Sequence, residues 1–212
     1  MTFSIVARDP VTGALGVATA TAGPFVGWLV PHARAGVGAV ATQAMTNPYL
    51  AVDLLQELGG TSVDRALETT LERDAEWERR QIVAVDRHGQ TAGWTGSLCE
   101  GFAGHILGDG VAVAGNILAS EDVLNAMLSA FAVPGPLGSR LLTALNAGAA
   151  AGGDRRGIGS AALKVFGQEA YPLLDLRVDD SPTALSDLEN LLDRATHGSY
   201  AEFLAAVVRR AS

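Results

Sequence analysis

The first 21 residues hold two short runs of small and β-branched residues, 2–7 and 14–21, on either side of Asp9-Pro10-Val11-Thr12-Gly13. Pro and Gly at that spacing suit a tight reversal, so the pattern predicts an antiparallel hairpin. A third apolar run, 36–43, follows a looser segment holding Pro24, Pro31, His32 and Arg34, and reads as a strand ending in Thr42-Gln43. The period then changes. Asn47-Pro48 opens a helix in which Leu50, Leu54, Leu55 and Leu58 recur at helical spacing until Gly59-Gly60 stops it. Ser62 opens a second, with Ala66, Leu67 and Leu71 on one face and alternating charges on the other. Strands return at 81–85 and 91–95, joined by Asp86-Arg87-His88-Gly89, and again at 111–114, ending on Gly115-Asn116. Ser120, with Glu121 and Asp122 behind it, caps a helix to about 131, and Pro134-Gly135-Pro136 separates this from another over about 137–147. Strands at 160–166 and 173–178 precede terminal helices near 183–195 and 200–209.

Runs of strands alternating with pairs of helices argue against simple βαβ winding. They predict an α+β fold, a four-layer αββα sandwich of two stacked antiparallel sheets flanked by helices. With 212 residues, 48% hydrophobic and 18% charged, the chain can bury one substantial core. The expectation is a single domain over 1–212 with a helical C-terminal extension from about 182.

Charge and special residues narrow the function classes. Asp and Glu number 23 against 15 Lys and Arg, a net charge of -8, which opposes general attraction to phosphate backbones or anionic lipid. Neither nucleic acid nor a membrane is expected as a partner. Arg, Asp and His interrupt every apolar stretch well before the ~18 to 20 residues of a membrane span. The start lacks a basic n-region and apolar core, so the expected location is cytoplasmic. The high apolar fraction and the segment holding Phe25 and Trp28 suggest a self-associating surface, hence a homo-oligomer. Cys99 is the lone cysteine, which rules out an internal disulfide and a multi-cysteine metal site; His32, His88, His105 and His197 form no short-range ligand pair. No metal and no cofactor are expected. Lys164, the only lysine, is assigned to the outward face of its strand.

Thr2 stands at the head of the first strand. A threonine hydroxyl needs an adjacent base to act as a nucleophile, and its own α-amine, with a reference pKa of ~7.7 to 8.0, can supply one. That amine is free only if Met1 is removed, and the small Thr side chain suits such removal. Thr42-Gln43, Thr95-Gly96 and Gly115-Asn116 end apolar strands, where a rigid support carries polar groups at the rim of the core. Asn116 there is either a turn residue or an oxyanion donor. The cluster over 152–157 contains Asp154, Arg155 and Arg156: a guanidinium fork for a carboxylate, or an internal Arg–Asp brace. It lacks a Gly-Lys-Ser/Thr ending and leads into a strand, which excludes a phosphate loop. Cys99 and His105, six residues apart, are either a nucleophile–base pair or an inert thiol beside an unrelated imidazole. Asp175, Arg177 and Asp179 share one strand face as an ion-pair ladder.

These segments form a recognisable set: 2–9, the Gly-rich strand region 33–44 with Thr46-Asn47-Pro48, 95–99 with Ala103-Gly104-His105, Gly115-Asn116, 152–157 and 175–180. Together, from Thr2 to about Asp180, the chain resembles the bacterial and archaeal domain of unknown function 1028 family, which in turn resembles the N-terminal nucleophile (Ntn) hydrolase superfamily with its αββα sandwich. The resemblance implies a hydrolase of amide-type C–N bonds in small molecules, with a carboxylate-bearing substrate. It implies that Thr2 attacks through Oγ, that the α-amine carries the proton and that Asn116 holds the oxyanion. Arg34, Thr42, Gln43, His105, Asp154 and Arg155 would line the substrate pocket. The alternative is a non-catalytic small-molecule binding protein that keeps the same fold.

Overall fold

A computed structural model describes residues 2–153 and 157–210. The predicted hairpin forms: β1 (Thr2–Arg8) and β2 (Leu15–Thr21) pair antiparallel, with Thr2 opposite Thr21. Its turn is held by Asp9, whose Oδ1 accepts from the amides of Val11 and Thr12. The hairpin lies inside a six-stranded antiparallel sheet completed by β7 (Phe102–Gly108), β8 (Val111–Leu118), β9 (Ser160–Phe166) and β10 (Leu174–Val178), in the order β10-β9-β2-β1-β8-β7. A second antiparallel sheet runs β3-β4-β5-β6, from β3 (Pro31–Arg34), β4 (Gly38–Ala44), β5 (Arg80–Asp86) and β6 (Thr91–Thr95).

Seven helices are present among the described residues: α1 (Val26–Leu29), α2 (Pro48–Glu57), α3 (Val63–Glu72), α4 (Asp122–Phe131), α5 (Leu137–Ala150), α6 (Ala184–Thr196) and α7 (Gly198–Ala205). Asn47 caps α2 by accepting from the Tyr49 amide, and Ser62 caps α3 through the Arg65 amide, as their sequence positions require. None of the helices is long and apolar enough to cross a membrane.

Strand alternation sorts the apolar side chains into three layers. Phe3, Ile5, Val113 and Leu163 point outward from the larger sheet and meet Leu124, Met127, Leu141, Leu145 and Leu188 of α4, α5 and α6. Val40, Ile82 and Ala84 point outward from the smaller sheet onto Leu50, Leu54, Val63 and Leu67 of α2 and α3. Val6, Val17, Ala39, Ala41, Val83, Val85, Ala112 and Ala114 fill the space between the sheets. The layers therefore run helices, sheet, sheet, helices. Leu188 and Leu192 of α6 lie in the first core, whereas α7 buries no residue.

Three elements had no signature in the pattern: α1, β3 and β7. The two strands are the outer edges of their sheets, so each pairs on one side only and carries polar or small residues where a central strand would carry valine. Lys164 is a correction. It shares its face with Ser160 and Ala162, opposite to the helix-facing Leu163 and Val165, so it points toward the second sheet and not outward.

The end of β5 is braced by Arg80, whose guanidinium donates to Asp74 Oδ2 at 2.8 Å, to the Met45 carbonyl at 2.6 Å and to Glu76 at 3.1 Å. Asn47 adds its amide to the same Asp74 oxygen at 2.9 Å. The Arg80 hydrogen bond, against the opposing pull of partial burial, holds the Asp74 carboxyl down at about 2. Its folded-state pKa lies below the ordinary 3.8, so the stabilisation is fully present above that value and is lost as pH falls toward about 2. Urea midpoints measured between neutrality and pH 2 are expected to show wild type losing its advantage over Asp74→Asn across that interval.

Gly96 follows β6 where the chain passes against the main chain of Glu78. A Cβ at position 96 would sit 2.2 Å from the Glu78 carbonyl oxygen and 2.4 Å from its carbon, backbone atoms that cannot swing away. Gly96→Ala should therefore lower stability by about 2 kcal/mol, read as a shifted denaturation midpoint.

Candidate active site at the head of the first strand

Thr2 has the same strand phase as Ser4 and Val6, so its side chain faces the space between the sheets. It lies between two other strand termini, opposite Thr21 on β2 and Asn116 on β8. Its hydroxyl is 3.2 Å from Thr21 Oγ1, and it is half-buried. Beneath it the apolar filling of the inter-sheet layer gives way to a band of neutral polar groups. Ser4, Thr19, Gln43, Gln81 and Asn116 are all buried.

The wiring of that band can be followed atom by atom. Gln81 Nε2 donates toward the Gly104 and Gly115 carbonyls at 3.0 and 2.9 Å, with Thr95 Oγ1 also at 2.9 Å. Main-chain carbonyls can only accept, which fixes the Gln81 amide and turns its Oε1 the other way. That oxygen accepts from Gln43 Nε2 at 2.7 Å and from Asn116 Nδ2 at 3.0 Å. Gln43 Nε2 reaches the Thr2 carbonyl at 3.3 Å, and Gln43 Oε1 accepts from Ser4 at 2.6 Å. One glutamine thus orients both amides nearest Thr2. Asn116 has two N–H bonds on Nδ2, and one of them is engaged by Gln81.

Backbone strain gathers at the same place. Ala44, immediately after Gln43, has φ 69, and Ile117, immediately after Asn116, has φ 54. A left-handed conformation is costly for an L-residue and for β-branched Ile most of all, and such strain persists where surrounding structure fixes a side chain for use.

The structure therefore brings Thr2, Gln43 and Asn116 together. It does not bring the others to them. Thr42 is next to Gln43 and so faces the opposite side of β4, where its hydroxyl lies 3.3 Å from the Asn47 carbonyl. Arg34 pairs with Gly38, five residues along β4 from Gln43, which is about 17 Å at strand rise. It belongs to the opposite end of the sandwich. His105 sits on β7 with Nδ1 2.9 Å from Thr95 Oγ1, and is linked to Thr2 through Thr95, Gln81 and Gln43. Burial lowers its pKa and favours the neutral ring. Asp154 and Arg155 lie outside the described residues. Cys99 donates to the Arg80 carbonyl at 3.4 Å rather than meeting His105, and burial pushes its thiol pKa up, so the pair does not form a nucleophile and base. Arg177 pairs with Asp179 at 2.8 Å, and Asp175 faces Lys164.

Gln81 belongs to this network although its sequence context does not single it out. The available signal was its phase: it precedes Val83 and Val85 on the inter-sheet face, a buried polar position at a strand start. Among the described residues, one cavity of about 660 Å³ opens between α3 and β6 beside the stacked Trp77 and Trp94, away from Thr2. Among the described residues no cluster of His, Cys, Asp and Glu could hold a metal ion.

Layering and site together define an α+β protein of two antiparallel sheets with a threonine seated over an amide network at one end of the inter-sheet space. The chain belongs to the Family of unknown function (DUF1028), whose model matches residues 2–188. The crystal structure of SPO2555 from Silicibacter pomeroyi, of the same family, superposes with a TM-score of 0.90 at 35% identity, covering 96% of this chain and 89% of that one. Anbu (ancestral beta-subunit) from Yersinia bercovieri aligns over 99% of this chain and 100% of its own at a TM-score of 0.43 and 10% identity, too slight a likeness to build on. No curated protein matches the chain.

Proposed function

We propose that this protein is an N-terminal nucleophile amidohydrolase that cleaves a C–N amide bond in a small molecule, with Thr2 as the nucleophile once Met1 is gone. The observation that carries the reading is the placement of Thr2 at a strand head, facing the inter-sheet space with the oriented Asn116 amide on the neighbouring strand.

Thr2 Oγ attacks the amide carbon while its α-amine takes the hydroxyl proton. The carbonyl oxygen becomes an oxyanion, and the second N–H on Asn116 Nδ2 is the donor suited to it. The α-ammonium then passes its proton to the departing amine as the C–N bond breaks, leaving an ester on Thr2. Water, deprotonated by the same α-amine, attacks that ester and releases the carboxylic acid. Gln81 and Gln43 hold the donor and the Thr2 main chain without adding formal charge that would compete with the oxyanion.

The test is the intact mass of protein expressed without an N-terminal tag, combined with a screen of small amides for release of amine. Loss of one methionine and turnover of at least one amide are expected. Retained Met1 overturns the reading, because the base is then acylated. Cavities bounded by described residues away from Thr2 favour the second reading, a binding protein without catalysis; unaltered metabolite recovered from the purified protein with Met1 in place would establish it.

A further inference from the structure

At the end of the sandwich away from Thr2, edge strand β3 of the smaller sheet packs beside β9 of the larger, and a cavity of about 690 Å³ opens between them and α2. Its walls carry Arg34, His32 and Lys164, while Val52, Leu55 and Phe166 supply apolar surface. Among the described residues no acidic side chain lines it, in a chain where acids outnumber bases 23 to 15.

Each basic group is in an unusual position. Lys164 is the sole lysine and faces inward from a central strand, with its Nζ 3.6 Å from Asp175, its cross-strand neighbour. Arg34 is exposed, and among the described residues its guanidinium has no ion pair or hydrogen bond. His32 donates from Nε2 to the Leu29 carbonyl at 3.0 Å, and its burial favours the neutral ring. Two positive charges therefore face one hollow that has apolar walls and a single acid at its margin. Like charges sharing one hollow repel, and an anion placed between them offsets that repulsion.

We propose that this cavity binds a small organic anion, its carboxylate or phosphate-ester group resting on Arg34 and Lys164 and its apolar body against Leu55 and Phe166. The guanidinium fork of Arg34 fits either head group with two parallel hydrogen bonds, and Lys164 adds a point charge. The apolar walls distinguish such a ligand from a bare inorganic ion. The site is independent of Thr2 and of any hydrolysis there.

Calorimetric titration of the full chain with benzoate, phenyl phosphate and neutral benzyl alcohol tests it. At least one of the two anions should saturate the protein and lose affinity as salt is raised. Which anion binds names the head group, and either result, or both, supports the site. Arg34→Gln and Lys164→Met should each weaken binding about tenfold, and benzyl alcohol should bind at least about tenfold more weakly. Arg34 is exposed, so Arg34→Gln leaves the fold intact and decides the matter if Lys164→Met does not fold. The proposal is overturned if neither anion saturates by about 10 mM, if benzyl alcohol binds equally well, or if Arg34→Gln changes nothing. Thr2→Ala should leave this binding unchanged.

Discussion

Thr2→Ala is expected to abolish the proposed amide hydrolysis while leaving the denaturation midpoint close to wild type. The side chain lost is a half-buried hydroxyl whose contact is Thr21 Oγ1 at 3.2 Å, and β1 keeps its pairing with β2 and β8 whatever stands at position 2. On the proposed mechanism this change removes the covalent route altogether, so kcat/KM should fall by about three orders of magnitude or more. Thr2→Ser keeps Oγ and the α-amine and should retain measurable turnover. A serine variant as inactive as the alanine one would indicate that the threonine methyl, not the hydroxyl, is what matters. An alanine variant with full activity would remove Thr2 from the chemistry and turn attention to the cavity between α3 and β6 and the one beside β3.

The head-of-strand placement of Thr2 was legible because apolar runs with turn residues between them fix a hairpin, and a hairpin fixes which residues stand side by side. Thr2 meets Thr21 for that reason alone. That Asn116 is its other neighbour was not written locally, since β8 reaches β1 across about a hundred residues of chain and sheet order is a tertiary property. Thr42 and Gln43 show the limit from another side. Consecutive strand residues point to opposite faces, so the two could not both line one pocket, and the phase set by Ala39 and Ala41 selects Gln43. The inward direction of Lys164 is not legible in the sequence because β9 is buried on both faces. Where both faces are apolar, alternation carries no information about which face meets which layer. Edge strands β3 and β7 escaped notice for the converse reason: partial exposure lets glycine, histidine and arginine interrupt the pattern.

Gln81 ties these long-range relations together, and its replacement is expected to have the largest effect on stability. Gln81→Leu fills similar volume but leaves the Gly104 and Gly115 carbonyls and the Asn116 amide without a partner they now share, two of these bonds buried and the one to Gly104 partly so. At about 1 to 3 kcal/mol for each buried group left unpaired, the loss should come to about 3 to 5 kcal/mol, a large part of a typical domain's stability. Chemical denaturation with an unchanged m-value is the measurement. Gln81→Glu probes orientation rather than volume. Its oxygen still accepts from Gln43 and Asn116, but the second carboxylate oxygen would face two carbonyl acceptors, so the buried acid holds a proton more tightly than in the unfolded chain. The folded state then binds more protons than the unfolded state above the ordinary Glu pKa of about 4.3, and stability must fall as pH rises from there. The Gln81→Glu variant should therefore be most stable in mild acid, opposite in sign to the Asp74 contribution. A variant whose stability rises with pH over that range would mean that the carboxylate turns away from the Gly104 and Gly115 carbonyls, and that these two acceptors do not hold the side chain at position 81.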